Sequence, residues 1–185
     1  EGGGVRGAPS VEDAFHSVQQ YPLPVVAVVQ GDAIAGGNEL ALHCDLVVAS
    51  TRARFGMSLA QIGLAPPWAL ACKLLEVGGP VAAREVLFLG DPLSAERMHA
   101  LGVVSFLAAP EELEDVATKI IQRLAANAPL SLRTMKAALL RGMAFREGLP
   151  HEDIDALIIA ARRSADAQEG ITARLERRTA VFRGE

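Results

Sequence analysis

Two short apolar runs with a helical segment between them constrain the fold more than any other feature of this sequence. Residues 24–31 read PVVAVVQG, residues 45–50 read DLVVAS, and NELALHCD lies between them. β-Branched runs of this length predict strands buried on both faces, as in a parallel sheet. A strand, a helix and a second strand within so few residues predict a compact right-handed crossover. The sequence therefore indicates an α/β fold.

Helical segments dominate the rest of the chain, and most of them have visible start and stop signals. Proline or a capping residue precedes each segment, and paired or single glycines follow several of them. A short amphipathic helix is expected to end near Pro22. We predict three regions: a flexible start with that helix in residues 1–23, an α/β core in 24–110, and a helical region in 111–185. The later helices are predicted to begin near Pro67, Pro80, Ser94, Pro110, Pro129, His151 and Asp166.

Composition excludes several classes of partner. The 185 residues carry a formal net charge of −4, which gives no support to nucleic acid or an anionic membrane surface as the main partner. No apolar run approaches the roughly 20 residues that cross a bilayer. Cys44 and Cys72 are the two thiols, so a disulfide framework is not expected and a reducing compartment is favoured. We predict a cytoplasmic location, with the matrix of an organelle as the alternative. No Cys or His spacing predicts a metal site.

The stretch GDAIAGGNEL, residues 31–40, contains the residues with the clearest chemical potential. A helix N-terminus exposes N–H groups that lack partners within the helix, and glycine lets an oxygen atom approach them closely. Such donors suit a carbonyl oxygen that gains negative charge during a reaction. Glu39, in the first turn, could transfer a proton there. Alternatively, the glycines permit close packing and Glu39 only complements the helix dipole.

The sequence resembles the crotonase superfamily, also called the enoyl-CoA hydratase/isomerase family. The resemblance runs through PVVAVVQGDAIAGGNELALHCDLVVASTRARFGM, IGLAPP, GDPLSAERMHALGVV and DAQEGITARLERRTAVFRGE, in order. It implies the C-terminal part of a crotonase-like ββα spiral, followed by a helical trimerisation region. It also implies an acyl-CoA thioester as substrate, no other cofactor, and a homotrimer or a hexamer of two trimers.

The resemblance assigns roles to individual residues of the glycine-rich stretch. The backbone N–H of Gly36 matches one donor of the family's oxyanion hole for the thioester carbonyl. Glu39 matches one of the two carboxylates that hydratases of the family use as acid and base. Ala35 is predicted to contact the substrate beside Gly36.

The sequence departs from the hydratase pattern at Leu59. The second hydratase carboxylate belongs to a pattern like F-G-x-P-E, and FGMSL places Leu59 at its position. Leucine cannot transfer protons, so hydration of a double bond is expected to be inefficient. FGMS without a following acid is more similar to the methylmalonyl-CoA decarboxylase branch. A decarboxylase is therefore an alternative within the family.

The family also has an N-terminal portion that carries the other oxyanion-hole N–H, and this chain begins after it. Three explanations follow: a fragment, a half-site supplied by another chain, or a protein that no longer performs the chemistry. Loss of one donor typically reduces the rate roughly 100- to 1000-fold. A non-catalytic CoA-binding or assembly paralogue is therefore the alternative from a different class.

Four further residues are predicted to contact the substrate. APPWAL replaces the glycine-rich turn usual in hydratases, so Pro66 and Trp68 either shape a different acyl pocket or pack in the core. Arg174 and Arg177 lie three apart on one predicted helical face, in a region where basic residues of the family can reach CoA phosphates. A solvated basic face is the alternative for these two residues.

Overall fold

A computed structural model describes residues 10–146 and 148–185. The predicted flexible start lies in residues 1–9, outside the described residues. The predicted α/β architecture is confirmed: short strands alternate with helices up to residue 108, and helices follow. The helices are α1 Val11–Gln20, α2 Gly36–Leu42, α3 Trp68–Arg84, α4 Ala95–Ala100, α5 Leu113–Ala125, α6 Pro129–Met143, α7 Glu152–Arg163 and α8 Ala165–Glu176. The strands are β1 Val26–Val29, β2 Ala33–Ile34, β3 Leu46–Ser50, β4 Arg54–Gly56, β5 Leu93–Ser94 and β6 Phe106–Ala108.

The strands form two small sheets. In the first sheet, β3 lies between β1 and β6, and both pairings are parallel. In the second sheet, β4 lies between β2, which is parallel to it, and β5, which is antiparallel. The chain alternates between the sheets, since β1 and β3 belong to one and β2 and β4 to the other. The parallel pairing of β1 with β3 agrees with the predicted crossover, β4 matches the short extended piece that the sequence predicts at Phe55, and β2 is a strand that the sequence did not predict.

The prediction of full burial is correct for β3 and wrong for β1. Four of the five residues of β3 are buried, and Val48 is completely inaccessible. In β1, by contrast, Val28 is 40% exposed. The difference follows from position, because β3 has a neighbour on each side whereas β1 lies at an edge of its sheet.

Residues that typically cap or break helices lie at the observed helix ends. Ser94 caps α4 by accepting the amide of Arg97, and Pro129 is the first residue of α6. The region from Trp68 to Arg84 is helical on both sides of Gly79, whose φ of 67° and ψ of −177° break it before Pro80. The predicted stop at the paired glycines is therefore confirmed as a kink. A short π-helical segment, Glu85–Leu89, then ends at Gly90 in the left-handed conformation.

The C-terminal helices attach to the core in two different ways. Helix α5 packs on the first sheet through Leu113 and Ala117. Helix α8 packs against the 3-10 turn Ala60–Ile62 at a glycine pair, because a Cβ on Gly63 or Gly170 would overlap the facing backbone. No helix within residues 10–146 and 148–185 is long and apolar enough to cross a membrane.

Candidate active site

The turn between β2 and α2 presents the glycine-rich stretch. Ala35 has a φ of 52° and a ψ of −117°, a backbone conformation that residues with a side chain rarely adopt. Its N–H donates a 2.9 Å hydrogen bond to the carbonyl oxygen of Gly56 at the end of β4. This bond stabilises the strained backbone of Ala35, and α2 begins at the next residue.

Gly36 begins α2 with its N–H group free. Among the described residues, the structure gives this amide no acceptor, and no side chain caps the helix. Gly36 is exposed, and a Cβ built on it would lie 3.9 Å from the ring of Phe15 in α1. The missing side chain therefore leaves room beside an unpaired N–H, with an aromatic ring on one side. The predicted donor role agrees with this geometry and stays a prediction.

Glu39 is half-buried one turn along the same helix. Burial raises the pKa of its carboxyl group, and the nearby charge of Glu12 raises that pKa further. A carboxyl group with a raised pKa holds its proton closer to neutral pH, which suits general acid or base catalysis. The spacing in AGGNE therefore brings a free N–H and a perturbed carboxyl group onto the first turn of one helix.

Sequence reasoning missed two residues beside this turn. His43 stacks on Phe15 with ring centroids 5.4 Å apart, and its Nδ1 lies 2.8 Å from the backbone oxygen of Glu39. Burial lowers the pKa of His43, which favours the neutral imidazole. The four-residue spacing between Glu39 and His43 was a usable signal, because such residues share a helix face. The contact with Phe15 gave no signal, since Phe15 belongs to a different helix.

Asn38 is another residue that the sequence did not single out. It is 1% exposed, and neither its side-chain oxygen nor its nitrogen has a partner among the described residues. Buried amides are normally hydrogen-bonded, so an unpaired one between Gly36 and Glu39 is unusual. Its presence makes this part of α2 polar where packing alone would favour an apolar side chain.

Leu59 follows the strand next to β2. Strands β2 and β4 are parallel with Ile34 opposite Gly56, so the residues after each strand emerge at the same edge of the sheet. The Leu59 side chain is partly buried against the main hydrophobic core. Its backbone oxygen accepts the amides of Ile62 and Leu64, which closes the turn that follows. An apolar side chain therefore stands where the resemblance expects a carboxylate.

Pro66 and Trp68 lie in the connection to α3. Trp68 is half-buried and is the first residue of that helix. Its ring stacks on His151, with centroids 5.3 Å apart and an interplanar angle of 17°. The pair lines a cavity of about 310 Å³ whose lining includes neither Gly36 nor Glu39. Trp68 thus lies outside the core, and its acyl-pocket role stays a prediction.

The two C-terminal arginines do not share a helical face, so that part of the sequence interpretation is wrong. Helix α8 ends at Glu176, and Arg177 follows it in the left-handed conformation with a φ of 55°. Arg177 is therefore the cap residue of α8 and not part of the helix. Arg174 remains on the helix and donates from Nη1 to Ser58 Oγ at 3.3 Å. The structure thus brings Arg174 to Ser58, the residue that precedes Leu59.

Comparison with known proteins identifies the family of this chain. The sequence model of the enoyl-CoA hydratase/isomerase family matches residues 7–185. A Thermus thermophilus protein provisionally assigned as an enoyl-CoA hydratase is 38% identical over 180 residues, covering 96% of this chain and 70% of that protein. The crotonyl-CoA hydratase of Syntrophomonas wolfei is 33% identical over 178 residues, covering 92% of this chain and 66% of that protein.

The fold is also similar to that of a solved structure. The crystal structure of methylmalonyl-CoA decarboxylase superimposes with a TM-score of 0.86 at 26% identity, covering 95% of this chain and 69% of that one. The chain belongs to the enoyl-CoA hydratase/isomerase family, as the sequence resemblance predicted. It spans about two thirds of the length of these relatives, 70% and 66% of the two hydratases.

Proposed function

We propose that this chain belongs to an enzyme that processes acyl-CoA thioesters by stabilising a thioester enolate. One observation carries the proposal: the N–H of Gly36, on the first turn of the helix that also carries Glu39, has no acceptor among the residues that the structure describes. Family membership supports acyl-CoA as the substrate class. No metal and no cofactor beyond the CoA of the substrate is part of this proposal.

The chemistry follows from the two groups. The thioester carbonyl oxygen would accept a hydrogen bond from the N–H of Gly36. This bond would stabilise the negative charge that develops on that oxygen when the α-carbon loses a proton or when a nucleophile adds to the β-carbon. The Glu39 carboxylate would take that α-proton, or its carboxylic acid would return it. The raised pKa of Glu39 favours proton transfer in both directions.

A methylmalonyl-CoA-type decarboxylase is the second candidate, and Leu59 favours it. Loss of carbon dioxide from a malonyl-type thioester leaves an enolate directly, so it needs the oxyanion donor but no second carboxylate. The apolar Leu59 packs against the core at the position where a hydratase would have its second acid. The similarity to the methylmalonyl-CoA decarboxylase structure supports the same candidate.

Two assays on the full-length protein separate these candidates. Crotonyl-CoA hydration and carbon dioxide release from methylmalonyl-CoA would be measured in parallel, each with the wild type and with Glu39→Gln. Hydration that requires Glu39 supports the hydratase/isomerase reading, and carbon dioxide release without hydration supports the decarboxylase. Tight CoA binding without turnover in either assay would overturn the enzymatic proposal in favour of a non-catalytic CoA-binding or assembly protein.

We also propose a cytoplasmic homotrimer, or a hexamer of two trimers, built through the helices after residue 110. Several large apolar side chains on these helices are exposed in the single chain, including Leu130 at 75%, Leu139 at 66% and Leu175 at 80%. Exposed apolar surface of this extent favours association. Light scattering of the full-length protein at micromolar concentration tests the proposal, and a monomer would contradict it.

A further inference from the structure

Backbone packing fixes the position of Arg174 beside the loop that follows β4. Helix α8 meets the turn at residues 60–62 so closely that a Cβ on Gly170 would overlap the backbone of Ile62. Within the next turn of α8, Arg174 donates from Nη1 to Ser58 Oγ at 3.3 Å. The packing of the α8 backbone therefore fixes where the Arg174 side chain begins, and the hydrogen bond to Ser58 places its guanidinium group.

This location lies at the same edge of the sheet as Gly36. Strands β2 and β4 are parallel with Ile34 opposite Gly56, and the Ala35 amide is bonded to the Gly56 oxygen. Neighbouring strands are about 5 Å apart, so the residues that follow them remain close together. Ser58 is two residues beyond Gly56, just as Gly36 is two beyond Ile34. Arg174 therefore lies at the edge of the sheet from which Gly36 also emerges.

The charge of Arg174 is available to a ligand. No carboxylate among the described residues forms an ion pair with it, and the nearby acids Glu169 and Glu176 both bind Arg178. The neighbouring Leu59 supplies no negative charge. An exposed guanidinium offers two parallel N–H donors, a geometry that matches a carboxylate.

We infer that Arg174 receives a carboxylate carried by the acyl group, at a position remote from the thioester. The inference rests on the proposed function and deepens it, because it names the substrate class as acyl-CoA thioesters of dicarboxylic acids. An ion pair stabilises a carboxylate in its charged form and so opposes its loss as carbon dioxide. The carboxylate that Arg174 binds is therefore retained through the reaction, whereas the bonds that change lie beside the thioester.

Binding of two matched thioesters tests this role without requiring turnover. Succinyl-CoA and butyryl-CoA have acyl chains of the same length and differ in the terminal carboxylate. Dissociation constants would be measured by calorimetry for the full-length wild type, Arg174→Gln and Arg163→Ala. Arg163 is a matched control, because it is an exposed arginine on the adjacent helix α7.

The wild type and Arg163→Ala are expected to prefer succinyl-CoA, and Arg174→Gln is expected to weaken succinyl-CoA alone by about 10- to 100-fold, as for a lost charge-assisted hydrogen bond. Equal weakening of both thioesters would overturn the inference and assign Arg174 to the CoA phosphates. No change for either would also overturn it, while leaving the acyl-CoA proposal intact. Failure of the wild type to bind any thioester would instead refute the proposed function itself.

Discussion

The amide of Ala35 donates a 2.9 Å hydrogen bond to the carbonyl oxygen of Gly56 and so joins the two loops that build the candidate site. One loop leads into Gly36 and Glu39, and the other leads into Ser58 and Leu59. Because β2 and β4 are parallel and adjacent, the bond aligns the unpaired N–H of α2 with the position that lacks a second carboxylate. The site's chemistry and its departure from hydratases therefore lie at one edge of one sheet.

The pH dependence of catalysis should report the environment of Glu39. Burial and the charge of Glu12 raise the pKa of Glu39, so a reaction that uses its carboxylate as a base should lose rate as the pH falls through that raised pKa. Glu12→Gln removes the like charge, lowers the pKa of Glu39 and should move the acidic limb of the profile to lower pH. A profile of kcat/KM against pH for both proteins checks this, and an unmoved limb would exclude Glu12 as a cause.

The same raised pKa has a consequence for stability. The pKa of Glu39 is higher in the folded protein than in the unfolded chain, so the folded protein holds this proton more tightly. The free energy of unfolding therefore falls as the pH rises from the unfolded pKa of Glu39 through its raised folded pKa. Glu39→Gln should therefore raise the free energy of unfolding at pH 7 and leave it unchanged well below pH 4. Urea denaturation at both pH values tests the sign, and destabilisation by Glu39→Gln at pH 7 would contradict it.

Restoring a carboxylate at position 59 should improve hydration. The wild type is expected to hydrate crotonyl-CoA poorly, and Leu59→Glu should exceed Leu59→Gln by about 100-fold, because the two variants share size and polarity but only one transfers protons. The comparison with Leu59→Gln also removes the effect of placing a polar group against the core. Efficient hydration by the wild type, abolished by Glu39→Gln, would show that one carboxylate suffices.

Gly170 should be indispensable for docking α8. Gly170→Ala forces a Cβ into the backbone of Ile62 and should lower the free energy of unfolding by about 1–3 kcal/mol, as overpacking does. Gly142→Ala is the matched control, since a Cβ on this glycine of α6 meets nothing within 4 Å and should stabilise the helix by about 0.5–1 kcal/mol. Thermal or chemical denaturation distinguishes the two, and similar effects would refute the close contact.

An ion pair should hold α6 on the core. Lys136 Nζ lies 2.6 Å from Asp45 Oδ2, and their side chains are 5% and 28% exposed. Asp45→Asn leaves a buried ammonium group without its counter-charge, with only the Leu23 carbonyl oxygen as acceptor, and should cost about 3–5 kcal/mol. Lys136→Met should cost less, because the Asp45 carboxylate is partly exposed to solvent and still accepts the Val25 amide.

A double-mutant cycle provides the check on that pair. The combined Asp45→Asn and Lys136→Met protein should be more stable than the sum of the two single effects predicts, because no charge remains buried without its partner. Additive losses would show that the two residues stabilise the protein independently.

Local signals in the sequence predicted the helices and the strands β1 and β3, whereas they carried no information on contacts between distant elements. Ser94, Pro129 and the break at Gly79 act through their own backbone or the next turn, so their effects are readable from neighbouring residues. The exposure of Val28 depends on β1 lying at a sheet edge, which no local pattern reveals.

In the candidate site, too, the sequence predicted the features within one helical turn and missed the contacts between separate elements. AGGNE predicted an unpaired N–H and a nearby acid because both belong to one helical turn. The ring of Phe15 beside Gly36 depends on the packing of α1 on α2, and the placement of Arg174 on Ser58 depends on the packing of α8 on the loop after β4. The error at Arg177 arose because a helical face was extended one residue past the end of α8, where the backbone becomes left-handed.

Exchange of the α-protons of a saturated thioester tests the central claim most directly. The full-length protein would be incubated with butyryl-CoA in deuterated water, and deuterium at the α-carbon would be followed by nuclear magnetic resonance. This exchange needs only the oxyanion donor and one base, so it does not depend on Leu59. The account predicts exchange by the wild type and a loss of about 100-fold or more in Glu39→Gln with butyryl-CoA still bound. Undiminished exchange in Glu39→Gln, or none in a wild type that binds butyryl-CoA, would contradict it.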